Sequence, residues 1–219
     1  MASAGKINAD EIARAALRVL SDVGLDGLTM RLVAKELDVQ AATLYWHLKN
    51  KQQLLDAMAA IMLAEAVDGL EAPRRGVGWQ QWAAECTRRL RRTMLQYRDG
   101  ARVFAGSAVY GPLTHRTLEL TLSVLQDAGF SVRDAARSFP TLLHYTVGFT
   151  IEEQAQTGVA YADADNPYRP ERLAGAIDPE RFPLAAQAQG DLFDADPDAG
   201  FELGLNVILA GMAAIHLQP

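Results

Sequence analysis

Apolar residues recur at three- and four-residue intervals along almost the whole of this chain, and that spacing leaves it little but helices to form. Ile12, Ala15, Ala16, Val19, Leu20 and Val23 fall on one stripe that Gly24 closes, and Asn8 with Glu11 three residues on reads as a reciprocal N-terminal cap. Thr29 is placed to cap a second, short helix bearing Leu32, Val33 and Leu37. A third short segment spans 40–47 with Leu44 inward. Asn50 opens a longer helix to residue 69, with Leu54, Leu55, Met58, Ile61 and Met62 on its buried side. A stretch rich in Pro, Gly and Arg (71–78) precedes helices predicted over 79–97, 113–128, 131–156, 183–193 and 201–217. Pro140 predicts a kink or an offset start within 131–156. Residues 157–182, rich in Asp, Pro, Tyr and Arg with no apolar period, read as a mobile loop. The fold class expected is all-α.

Composition narrows the function. With 49% apolar and 22% charged residues the 219-residue chain is an ordinary globular sequence. Its one cysteine, Cys86, excludes an internal disulfide and a cysteine metal cage, and fits a reducing compartment; the expected location is the cytoplasm. No uninterrupted apolar run approaches the 18 or so residues of a membrane span, so no membrane partner is expected, and the first residues carry acids where a signal peptide would be apolar. Net charge is −6, but residues 1–51 hold seven basic and six acidic side chains, against 14 and 21 in the remainder. That distribution excludes histone-like coating of DNA and leaves room for a small reading head on an acidic body. Metalloprotease, dinucleotide-binding and nucleophile-elbow signatures are all missing. Glu152 and Glu153 diverge as helix neighbours, and the histidines at 47, 115, 144 and 216 lack metal-ligand spacing. No enzyme activity, metal or cofactor is expected.

The first three helices with their tight joints have the proportions of a helix-turn-helix. Asp38 stands in the joint, where a left-handed backbone is needed and Asp tolerates it better than most residues. Periodicity alone leaves two readings open: a DNA-reading motif, or an αα-corner inside a bundle.

The segment LDGLTMRLVAKELDVQAATLYWHLKNKQQLLD (25–56), above all TLYWHLKNKQQLLDA (43–57), resembles the TetR family of repressors, and within it the tetracycline repressor branch. The likeness continues through Trp79, YRDGARV (97–103), GFS (129–131) and 144–154. It implies a helix-turn-helix DNA-binding domain over 1–51 and a helical ligand-binding and dimerisation domain over 52–219. The expected partners are palindromic operator DNA, a small-molecule inducer and a second copy of the chain. The other reading is a small-molecule-sequestering helical protein with a vestigial head.

Read residue by residue, the third helix offers Gln40, Ala41, Ala42, Thr43, Tyr45 and His47 to the major groove, and Arg31 can present a bidentate fork to guanine. Thr43, Tyr45, Trp46, His47 and Lys51 are placed for phosphates and sugars, which fix register and not sequence. The tetracycline branch carries a polar pair and a proline where this chain has Gln40, Ala41 and Ala42, so a different operator is expected.

The resemblance also implies a drug site, which in the tetracycline branch holds a magnesium chelate through a histidine after the RDGA motif and a glutamate. Phe104 stands at the histidine position, and Glu152 matches the glutamate. Val67, Cys86, Leu90, Ala108 and Thr121 fall at other drug-contacting positions. A phenyl ring cannot ligate metal, and one glutamate makes a poor magnesium cage. The expectation is a metal-free pocket walled by Val67, Leu90, Phe104, Leu118, Leu122 and Phe139, with Cys86, Thr121, His144 and Glu152 as polar handles; for Glu152 a contact across the dimer is the equal alternative. The family's four-helix dimer contact would fall on 131–156 and 201–217. The small residues Gly200, Gly204, Ala210, Gly211, Ala213 and Ala214 suit close helix approach there.

Overall fold

The computed structural model of the chain describes residues 7–157, 172, 177–192 and 196–216, and no strand occurs among them. Ten helices are bounded among the described residues: α1 Ala9–Gly27, α2 Met30–Glu36, α3 Ala41–Tyr45, α4 Lys51–Ala66, α5 Trp79–Leu95, α6 Gly100–Ala105, α7 Pro112–Asp127, α8 Val132–Thr157, α9 Pro183–Leu192 and α10 Pro197–His216.

Local chemistry sets the helix starts. Asn8 and Glu11 exchange the two bonds of a capping box, and Thr29, Asn50 and Ser131 accept from the backbone N–H three residues on. Gly24 breaks α1 with φ 69°, ψ 175°, a backbone that side chains beyond glycine avoid. α10 opens four residues before the predicted start, because the Asp196 carboxylate accepts from the N–H groups of Asp198 and Ala199 while Pro197 holds the first helical position. α8 runs continuously through Pro140. The loop predicted over 157–182 lies mostly outside the described residues.

α6 was not foreseen. It is six residues long, follows Asp99 in the left-handed conformation (φ 56°), and depends on Gly100, where a Cβ would collide with the Met94 carbonyl.

Two principal cores result. In the first, α1–α4 bury Ile12, Leu20, Leu28, Val33, Leu44, Leu54, Met58 and Met62, and Val103 of α6 joins them. Fully burying each large apolar side chain contributes about 1.5–3 kcal/mol, so these short helices are held by packing and not by propensity. Val23, expected on the inner stripe, is at its exposed edge. In the second core, Trp79, Trp82, Leu125, Phe130 and Leu142 pack with Phe201, Leu205 and Leu209 of α10.

A buried ion pair crosses the second core. Arg91 of α5 donates through Nε and Nη2 to both oxygens of Glu153 on α8 (2.9 and 2.7 Å) and through Nη1 to Asp198 of α10 (2.6 Å). The side chains of Arg91 and Glu153 are 9% and 8% exposed. The guanidinium also lies 4.7 Å from the Phe201 ring centre. Burial pulls the Arg91 pKa down, but the bonds to Glu153 and Asp198 more than offset it and the net shift is upward.

α10 bears on two sequence expectations. First, two of its small residues serve inside the chain: a Cβ on Gly204 would strike the Tyr145 hydroxyl, and one on Gly200 would touch the Phe149 ring at 3.6 Å. Second, although no uninterrupted run is long, α10 is long and apolar enough by length and composition to cross a membrane, with a mean hydropathy of 1.4. It owes that value to two apolar faces. One buries Phe201, Leu205, Leu209 and Met212; the other leaves Leu203, Val207 and Ile215 exposed.

Candidate DNA interface and ligand cavity

The joint between α2 and α3 is tight because Asp38 takes φ 53°, which lets the Val39 N–H reach the Ala34 carbonyl at 2.9 Å. Leu44 is fully buried in the head core and anchors α3, which packs on α2. Arg31, Gln40, Ala42, Tyr45, Trp46, His47 and Lys51 are exposed, whereas Ala41 and Thr43 are half-buried. Ala41 packs on the head core, so its methyl is only partly available. Trp46 is 87% exposed and stands clear of the head core. Lys51 is held, not free: its ammonium donates to the Leu25 carbonyl at 3.2 Å.

Behind the head, α4, α5, α6, α7 and α8 enclose a cavity of about 340 Å³. Val67, Cys86, Leu90, Phe104, Leu118, Thr121 and Phe139, all singled out from sequence, lie on its wall. The structure adds Leu63 and Ala66 from α4, Trp82, Ala83 and Thr87 from α5, Ser107 and Val109 after α6, Thr114, Thr117 and Leu125 from α7, and Leu142, Leu143 and Thr146 from α8. The α7 contributors repeat at three and four residues, a stripe visible in the sequence but indistinguishable there from core. Among the described residues on the wall none is charged and none is a histidine. Cys86 is there as a neutral thiol, burial pushing its pKa up to about 12.

Three expected wall residues are elsewhere. Leu122 packs into the second core, one position past the stripe that faces the cavity. His144 is exposed, not inward: Leu142 faces the cavity, and two residues further on is the far side of a helix. Glu152 is exposed too, and with Thr141, His144 and Gly148 it marks an outward strip of α8; its neighbour Glu153 is the buried carboxylate. No group of three or more His, Cys, Asp or Glu among the described residues could hold a metal ion.

The head is coupled to the cavity by two struts. α4 lines the cavity at its far end and packs along α1, and its Gln52 and Asp56 bond the Gly106 carbonyl (2.8 Å) and the Ala108 N–H (2.9 Å) just past α6. α6 is the second. Phe104 is in the cavity wall, while Asp99 accepts from the Leu25 N–H at 2.8 Å, Arg102 bridges Asp99 and Asp26, and Arg98 donates to the Asp22 carbonyl. Gly24 permits this grip, since a Cβ there would lie 2.9 Å from an Asp99 carboxylate oxygen. Sequence reasoning missed this joint, because its partners are more than 70 residues apart.

A reading head of this kind, braced against an apolar cavity, defines a transcriptional regulator with a ligand-binding body. Two family profiles match the chain: Bacterial regulatory proteins, tetR family, over residues 12–58, and Tetracyclin repressor-like, C-terminal domain, over 72–216. The chain belongs to the TetR family of transcriptional repressors. It is 40% identical to the tetracycline repressor protein class A from transposon 1721 of Escherichia coli, covering 97% of this chain and 93% of that protein. Among solved structures it resembles a possible TetR family transcriptional regulator from Streptomyces coelicolor A3(2), with TM-score 0.83, 37% identity, and 95% of this chain and all of that one covered. It also resembles S. coelicolor ActR in complex with actinorhodin, with TM-score 0.82, 31% identity and coverage of 99% and 98%. The relatives are named as repressors, not enzymes.

Proposed function

We propose that this chain represses transcription by binding a palindromic operator as a homodimer through its head, residues 1–51, and that a small, largely apolar molecule held by the domain spanning 52–219 releases it. The observation that carries the reading is the uncharged cavity whose wall is shared by the two struts reaching the head. A ligand shifts such an equilibrium only by binding the DNA-free state better than the DNA-bound one, and a wall made of strut residues is where that difference can arise. The related ActR binds actinorhodin and the class A relative is a tetracycline repressor, which supports a sensing role for the equivalent domain. Such a repressor would work in the cytoplasm.

Arg31 reads a base pair in this scheme. Arg31→Ala is expected to weaken specific binding by about 1–3 kcal/mol and to lose discrimination at one base pair per half-site. Lys51→Ala should instead weaken all duplexes alike and flatten the salt dependence. Titrations of the gene's own promoter region against mismatched duplexes, at several salt concentrations, check both. Equal loss on every duplex for Arg31→Ala would remove its base-reading role.

The dimer contact falls on the second apolar face of α10, Leu203, Val207 and Ile215, beside the outward strip of α8. Ala210 and Ala214 are exposed on the same helix, and among the described residues no neighbouring atom comes within 4 Å of a Cβ placed on Gly211, so α10 can still admit a close neighbour there. His144 and Glu152 then belong to the partner contact. Two heads must reach half-sites about 34–36 Å apart, which one head cannot do. Sedimentation at micromolar concentration is expected to give twice 23.8 kDa. A stable monomer that footprints both half-sites would overturn the dimer.

A further inference from the structure

The cavity wall is rich in hydroxyls, and their protons are already used. Thr87 donates to the Ala83 carbonyl (2.7 Å), Ser107 to Val103 (2.6 Å) and Thr146 to Leu142 (2.6 Å). On α7, Thr117 donates to Leu113 (2.9 Å), Thr121 to Thr117 (2.8 Å) and Thr114 to Val109 (3.3 Å). The Trp82 indole N–H on the same wall is taken by the Glu71 carbonyl at 2.8 Å. A hydroxyl that has given its proton to its own helix keeps lone pairs to offer and nothing to donate. Among the described wall residues, Cys86, a neutral thiol and a weak donor, is the one polar side chain whose hydrogen no bond engages, and none carries a cation.

We infer that the cavity selects an uncharged ring compound bearing O–H or N–H donors, and rejects carboxylates and compounds whose polar atoms only accept. This rests on the ligand-sensing reading above and sharpens it. A donor on the ligand finds an oxygen waiting. A carbonyl, ether or carboxylate leaves water for a wall that returns no hydrogen bond beyond the weak one of the Cys86 thiol, and an anion also meets no positive charge.

The test holds one ring system constant. Naphthalene-2,6-diol, 2,6-dimethoxynaphthalene and naphthalene-2,6-dicarboxylate are each titrated calorimetrically into the full-length protein. The diol is expected to bind about tenfold tighter than the diether, each hydroxyl contributing roughly a threefold gain, and the dicarboxylate is expected to give no heat of binding. Thr121→Val keeps the shape and removes one acceptor; it should shrink the diol-to-diether ratio about threefold. An equal or reversed order of diol and diether, or binding of the dicarboxylate, overturns the acceptor wall and leaves the cavity as a ligand site. Failure of all three compounds to bind wild-type protein overturns the cavity reading, and the inference with it. The wild-type series decides the matter even if Thr121→Val does not fold.

Discussion

Magnesium–tetracycline is expected to produce no saturable heat when titrated into this protein, in magnesium or in a chelator, and to leave its DNA complex intact, although the class A relative is a tetracycline repressor. Phe104 stands where the resemblance requires a metal-binding histidine, and its ring is part of the cavity wall. Glu152, the position matching the second metal partner, is exposed and away from that wall. Val67 and Leu90 supply methyl groups at drug-contacting positions, and Thr121 has given its proton to Thr117. Each lost hydrogen bond removes about 0.5–1.5 kcal/mol, more where charge is involved, and every 1.4 kcal/mol is about a decade of affinity. Several such losses, with the metal link gone as well, remove many decades. Submicromolar binding abolished by chelator would overturn this and require a metal ligand from outside the wall described here, with His115 and His144 the first to substitute.

Arg91→Met is expected to destabilise the fold by about 3–5 kcal/mol, because it strips the guanidinium from a buried carboxylate on another helix. The loss falls on three helices together, since the same guanidinium binds Glu153 on α8 and Asp198 at the start of α10 and covers the Phe201 ring. The double variant Arg91→Met, Glu153→Met should recover most of that loss, a well-packed apolar pair being no worse than a buried ion pair. Denaturant unfolding at fixed protein concentration measures both variants, fixed because a dimer's stability depends on concentration. A loss below about 1 kcal/mol for the single variant would mean that water reaches Glu153 and that the pair has little structural weight.

Local chemistry explains which parts of this molecule could be read from its sequence. Asn8, Thr29, Asn50 and Ser131 announce helix starts because a cap needs only three or four consecutive residues. Asp38 announces a left-handed joint for the same reason. The cavity wall was legible where the resemblance gave positions, as at Phe104 and Thr121. His144, and Glu152 in its reading as a ligand handle, were misplaced because α8 has three faces, one toward the cavity, one toward the cores and one outward, and an alignment does not say which face a residue is on. The Arg91–Glu153 pair and the Asp99–Leu25 joint join residues 62 and 74 positions apart, and no local pattern encodes either. α6 escaped because six residues are too few to show a period.

The bracing of the head by both α4 and α6 makes the molecule a truss and not a hinge. In a hinge one soft point isolates the moving part, and damage there silences it. Here the wall segments at Leu63–Val67 and at Phe104 reach the head by separate routes, one along the length of α4 and one through the Asp99 carboxylate into the last turn of α1. Under the proposed function, load placed on either wall segment is shared, and softening one member redirects strain into the other. Evolution can therefore rework the cavity lining or loosen a single strut without disconnecting the two ends, which leaves such a scaffold free to drift toward new chemistry in its interior while the architecture that answers to it stays in place.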